Sequence, residues 1–217
     1  MKKSLLAIAL LSSLSTVALA NEAGDILIRG GITMVSPDSG KSAVFLDGAD
    51  SGLTLSPDDD TQLGLNFVYF FDSNWAIELL AATPFDHDIK LQSESTTLLA
   101  DSKQLPPTLS ALYYFDTDSA FKPYVGLGIN YTVFFDNSFT STYSDAGFSD
   151  LDMDNSFGYA VQVGADYDLG DNWSINISAR YIDISTDASF TVGGTTDGSA
   201  SVDVDPMVYS VMLGYTF

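Results

Sequence analysis

The sequence predicts an all-β fold, an eight-stranded antiparallel transmembrane β-barrel with four long extracellular loops and short periplasmic turns. Three observations carry this. The last stretch, Asp205–Phe217, alternates: Met207, Tyr209, Val211, Leu213, Tyr215 and Phe217 form an apolar row, while Val208, Ser210, Met212, Gly214 and Thr216 are small or only partly apolar. The two faces of a period-two strand therefore meet different surroundings. Long and short connections alternate along the chain, the pattern of strands that turn tightly on one side of a membrane and loop out on the other. Finally, past the N-terminal segment no apolar run offers the roughly 20 residues a spanning helix needs, so any crossing is made by strands.

At the N-terminus, Met1-Lys2-Lys3 is a positive n-region, Leu5–Leu11 an apolar h-region and Ala18-Leu19-Ala20 a small-residue cleavage site. Residues 1–20 thus read as a secretory signal cut before Asn21, leaving 21–217 as the barrel. The chain holds 8 Lys+Arg against 29 Asp+Glu, a net charge of −21, and loss of Lys2 and Lys3 makes it more negative still. Such a surface repels nucleic acid. With no cysteine there is neither a disulfide framework nor a thiolate metal site.

Eight segments alternate in turn. Asp25–Val35 sets Ile26, Ile28, Ile32 and Met34 against Leu27, Arg29, Gly31 and Thr33; a Ser/Asp/Gly-rich stretch, 36–60, follows. Thr61–Phe71 sets Leu63, Leu65, Phe67, Tyr69 and Phe71 against Gln62, Gly64, Asn66, Val68 and Phe70, and Asp72-Ser73-Asn74 turns into Trp75–Thr83. There Ala76, Glu78, Leu80 and Ala82 form the inward row. Residues 84–106 are the second excursion, in which 87–95 alternates well enough to extend a ribbon beyond the membrane. Thr108–Phe115 is apolar on both faces. Pro123–Phe135 turns Tyr124, Gly126, Gly128, Asn130, Thr132 and Phe134 inward. After the loop 136–156, Phe157–Leu169 turns Gln162, Gly164 and Asp166 inward, and Gly170-Asp171-Asn172 leads to Trp173–Asp183, with Asn176, Arg180 and Ile182 inward. The loop 184–204 precedes the closing strand. Both termini then face the periplasm, and Trp75, Trp173, Tyr215 and Phe217 fall near the inner ends as an aromatic girdle.

Several motifs in order, Thr61-Gln62-Leu63-Gly64-Leu65, Glu78-Leu79-Leu80-Ala81-Ala82-Thr83-Pro84-Phe85, Leu105-Pro106-Pro107-Thr108, the run 122–131 from Lys122-Pro123-Tyr124 to Asn130-Tyr131, and Phe134-Phe135-Asp136-Asn137, resemble the outer membrane protein W family over nearly the whole mature chain. The resemblance implies an eight-stranded barrel in the bacterial outer membrane. It also implies passage of small, largely hydrophobic molecules through a narrow interior, with a sideways exit into the bilayer as one route.

Three sets of side chains are candidates. Arg29, Glu78, Asp166 and Arg180 point into a barrel too narrow to hold unpaired charge cheaply, so they should pair, either as a plug that stiffens the interior or as a gate. Leu80, Val68, Phe70, Leu112, Phe134, Ile182 and Met212 are inward by parity yet apolar, which fits a greasy lining or ordinary packing. Tyr209, Val211, Leu213, Tyr215 and Phe217 face lipid on the closing strand, the element that barrel assembly machinery would engage.

The acidic residues concentrate in the loops, 18 of the 29 lying in 36–60, 84–106, 136–156 and 184–204. Asp58-Asp59-Asp60 and the run Asp150 to Asp154 have no EF-hand spacing and read as a solvated rim, so no metal is expected. His87, the only histidine, has neighbouring aspartates that an extended strand turns to the opposite face, so no catalytic group is expected.

The leading reading is passive, cofactor-free passage of small hydrophobic solutes. The alternative is a filled scaffold whose acidic loops bind a host surface, a phage or a bacteriocin. A continuous apolar cavity favours the first, and a closed polar network from Arg29 to Arg180 favours the second.

Overall fold

The computed structural model describes residues 21–38, 42–92 and 96–217; the expected signal segment, 1–20, lies outside them. Eight strands close the barrel: β1 (Ile26–Ser36), β4 (Asp60–Phe70), β5 (Trp75–Ala82), β8 (Thr108–Tyr114), β9 (Phe121–Phe139), β11 (Ser156–Gly170), β12 (Trp173–Ile182) and β15 (Met207–Thr216). Each pairs antiparallel with the next. β15 returns to β1 with Gly214 opposite Arg29, and the Phe217 N–H donates to the Ile26 carbonyl at 2.8 Å. Closure leaves no strand edge in the span, which hydrocarbon would leave without hydrogen-bond partners.

The alternation read from the sequence is the alternation of exposure. On β4, Leu63, Leu65 and Phe67 lie outward while Asn66, Val68 and Phe70 are buried. On β15, Tyr209, Val211 and Leu213 are exposed while Val208, Ser210 and Met212 are buried. At the inner end Trp173 packs edge-on against Tyr215 at 4.9 Å, Tyr215 against Phe217 at 4.8 Å and Trp75 against Tyr113 at 5.1 Å, so the girdle is made of rings that touch. The turn at Gly170-Asp171-Asn172 holds all three residues at positive φ, a conformation that Gly, Asp and Asn tolerate best.

The outer connections differ from the irregular loops expected at 36–60, 136–156 and 184–204. They carry β2 (Ser42–Leu46), β3 (Ala49–Pro57), β10 (Phe148–Met153), β13 (Ser185–Val192) and β14 (Thr196–Asp203). The excursion 84–106, where a ribbon was expected, carries β6 (Phe85–Gln92) and β7 (Thr96–Leu105). With the upper part of β9 they pair sideways in the order β9-β7-β6-β3-β2-β14-β13-β10 and extend the barrel wall outward. The reason is apolar. Val44, Leu55, Phe85, Leu99, Phe190 and Val202 face inward from these ribbons and share one core with Val35, Ile182 and Val208 of the barrel. The ring of ribbons has a seam. The β9–β11 ladder stops at Thr132 opposite Ser156, β10 pairs with β13, and among the described residues no ladder joins β10 to β9. A short helix, α1 (Ser141–Asp145), lies between β9 and β10 in the chain.

Candidate functional site

Inside the barrel the side chains are stacked in three tiers. Nearest the periplasm, Leu27, Val68, Phe70, Ala76 and Leu112 pack with the rings of Tyr114 and Tyr124. Above them lies a charged layer drawn from strands on all sides. Parity alone turns Arg29 of β1, Glu78 of β5, Asp166 of β11 and Arg180 of β12 inward, and closure brings the four together.

Arg29 is the hub. Its Nη1 donates to Glu78 Oε2 at 2.9 Å and its Nε to Asp166 Oδ1 at 3.0 Å, while Nη2 serves Asp166 Oδ2 and the Tyr114 hydroxyl. Its guanidinium also stands over the Tyr124 ring, 5.3 Å from the centroid. Glu78 takes further hydrogen bonds from Asn66 and Gln162, both at 2.9 Å, and from Arg180 Nη2. Asp166 takes them from the Tyr114 hydroxyl and from Asn176 Nδ2, each at 2.9 Å. Two guanidinium groups and two carboxylates make the layer electrically neutral, and all four residues are buried. That balance, with several donors on each carboxylate, is what tolerates charge in a low-dielectric interior. On the periplasmic side Asp166 also reaches a polar vestibule that it lines with Asp25, Lys122 and Asp168.

Glycine makes room for this layer. A Cβ at Gly126 would meet Gln162 Cγ at 2.6 Å and Leu112 Cδ2 at 2.7 Å, so only a bare α-carbon admits both side chains.

The third tier is an apolar chamber beyond the charges, walled by the outer ribbons. Leu55, Leu99, Phe134, Phe139, Phe190 and Val202 line most of it, around a cavity of about 50 Å³. Phe139 packs against Phe148 and Phe190, and Leu151 and Met153 of β10 complete the side at the seam.

The seven apolar candidates therefore do not form one path. Val68, Phe70 and Leu112 belong to the periplasmic cluster; Ile182 and the half-buried Phe134 belong to the outer one. Leu80 and Met212 are buried but in neither. Burial of charge explains the break, because strand parity that turns Arg29, Glu78, Asp166 and Arg180 inward leaves no room for a greasy column between the clusters. The neutral partners Asn66, Tyr114, Gln162 and Asn176 carry no charge to mark them in the sequence. Their inward parity was the available signal.

His87 is buried in the outer tier, its Nδ1 2.7 Å from the Asp58 carbonyl and its Nε2 2.7 Å from Gln104 Nε2. Burial holds its pKa below the ordinary histidine value against the pull of the Asp58 carbonyl and of Asp60, Asp86 and Asp58.

A family model described as the OmpW family matches residues 22–217. The chain belongs to the OmpW family. Outer membrane protein W of Escherichia coli strain K12 is 43% identical over 217 residues, covering 100% of this chain and 99% of that one. The crystal structure of the outer membrane protein OprG from Pseudomonas aeruginosa superposes with a TM-score of 0.87 at 45% identity, covering 91% of this chain and 98% of that chain. The solid-state NMR structure of the outer membrane protein AlkL in DMPC lipid bilayers has a TM-score of 0.69 at 26% identity, covering 93% and 94%. As an OmpW-family barrel, this protein resides in the Gram-negative outer membrane with its apolar band against lipid.

Proposed function

We propose that this OmpW-family barrel is a passive conduit for small hydrophobic solutes, which enter the apolar chamber from outside and leave sideways into the outer leaflet. The observation that carries the reading is the stacking of the chamber on the closed charged layer, with the unladdered β9–β10 seam in the chamber wall. A solute moving straight on would have to displace buried ion pairs, at a cost far above what an apolar molecule can return. Leaving through the seam takes it past the unladdered edges of β9 and β10 instead of through buried ion pairs, a far smaller polar cost. Selectivity then comes from the bore and lining of the chamber, and no cofactor is needed.

Uptake of a fluorescent apolar solute by cells making the protein tests this. Ala188 lines the chamber and is buried, so Ala188→Trp fills it. Uptake is expected to fall severalfold with the barrel still folded; unchanged uptake in a folded variant would sink the conduit. The closed network from Arg29 to Arg180 supports a second reading, a filled scaffold whose acidic loops bind a surface, a phage or a bacteriocin. Under that reading Ala188→Trp leaves uptake alone, and substitutions of loop aspartates abolish binding of the partner.

A further inference from the structure

The chamber is apolar except at one corner, where His87, Ser102 and Gln104 meet the lining. The protons in this corner can be placed by elimination. The Asp58 carbonyl can only accept, so His87 Nδ1, 2.7 Å away, carries a hydrogen. In the neutral ring Nε2 is then a bare acceptor, and the group 2.7 Å from it must be a donor, which fixes the Gln104 amide with its nitrogen toward the ring. The Ser102 hydroxyl donates to Asn137 Oδ1 at 2.7 Å. What remains is Gln104 Oε1, buried and without a hydrogen-bond partner on a side chain 1% exposed. A buried carbonyl left unpaired costs free energy that a ligand can recover, and here it belongs to a lining residue of an otherwise greasy chamber.

We infer that the outer chamber is a binding site for neutral, mainly apolar molecules that carry one hydroxyl, held by an O–H···O bond to Gln104 Oε1 with the hydrocarbon part among Leu55, Phe134 and Phe190. The inference rests on the conduit reading and narrows its solute class. A bare alkane leaves the carbonyl unpaired. A carboxylate brings a second acceptor to an acceptor, close to Asp58, Asp60 and Asp86, whose charges already act on His87. An alcohol supplies the missing donor without charge.

The test uses the full barrel in lipid nanodiscs at pH 8, titrated with 1-octanol and with its isomer heptyl methyl ether, which has the same atoms and no donor. Binding is followed by the methyl signals of Leu55 and Leu99, which line the chamber, and referred to the free aqueous concentration. Octanol is expected to bind about tenfold tighter than the ether, the scale of one buried hydrogen bond, and to shift the Gln104 amide where the ether does not. The double variant His87→Phe/Gln104→Leu removes both acceptors and should bind the isomers equally. Equal binding by the unaltered protein overturns the hydroxyl site and leaves the conduit standing, as does a preference that survives the double substitution. Failure of both isomers to enter the chamber removes the conduit as well.

Discussion

Glu78 accepts from Arg29, Asn66, Gln162 and Arg180 at once, so its carboxylate is the joint through which both guanidinium groups are neutralised. Glu78→Met should destabilise the barrel by about 3–5 kcal/mol, because it strands the buried Arg180 and takes one of two carboxylates from Arg29, and urea unfolding from lipid vesicles would measure it. Adding Arg180→Met removes the stranded charge, so the double variant should cost about 1–3 kcal/mol less than the two single effects together; strict additivity would mean that the pair is not coupled. His87 titrates the other way from a paired histidine. Its folded-state pKa lies below the unfolded value near 6.5, so its contribution to stability is complete above that pH and is lost as pH falls from there through the lowered folded value. Amide protection factors in the β6–β7 hairpin, referred to intrinsic exchange at each pH, should accordingly fall on acidification from pH 7 to pH 5, and His87→Phe should flatten that response. At this scale parity was the legible part of the sequence. It turned Arg29, Glu78, Asp166 and Arg180 inward, but the neutral groups that complete the layer have no charge to draw attention, and their partners lie up to 85 residues away in sequence, as for Tyr114 and Arg29.

Single strands carry the next level. The closing strand ends with Phe217 outside the last ladder pair, its N–H on the Ile26 carbonyl and its ring edge-on to Tyr215 at 4.8 Å. Removing Phe217 deletes a seam hydrogen bond and one ring of the inner girdle. We expect severalfold less protein in the folded, heat-modifiable form in cells, with a smaller loss on refolding into detergent, the difference reporting engagement of the assembly machinery by this strand. Equal losses in both settings would confine Phe217 to barrel closure. All eight spanning strands were legible because each has a long lipid-facing row, as in Leu63, Leu65 and Phe67 of β4. The ribbons β2, β3, β13 and β14 were not, because their inward rows are small and discontinuous. Thr186, Ala188 and Phe190 face Gly198, Ala200 and Val202 across a Gly193-Gly194 turn, and Ser, Thr and Asp on the other face give the stretch the composition of a loop. Alternation was present there, but without membrane to demand a greasy outer face its amplitude was low.

For the whole molecule, the tiers set what can cross. A neutral charged layer, its ion pairs buried between two apolar clusters, leaves ions no hydrated route, so the unaltered barrel in a planar bilayer should show little steady conductance even though its chamber is open to the outside. Arg180→Ala removes the largest side chain on one side of that layer, takes away a cation that Glu78 holds, and opens space between Gln162 and the outer chamber. Water can then follow the freed carboxylate, and conductance should rise severalfold with a preference for cations, since the layer now carries net negative charge. Uptake of apolar solutes should stay close to that of the unaltered protein, because the sideways route leaves the barrel above the layer. If Arg180→Ala raised conductance and apolar uptake together, the solute would be crossing the charged layer, and the axis rather than the seam would be its path.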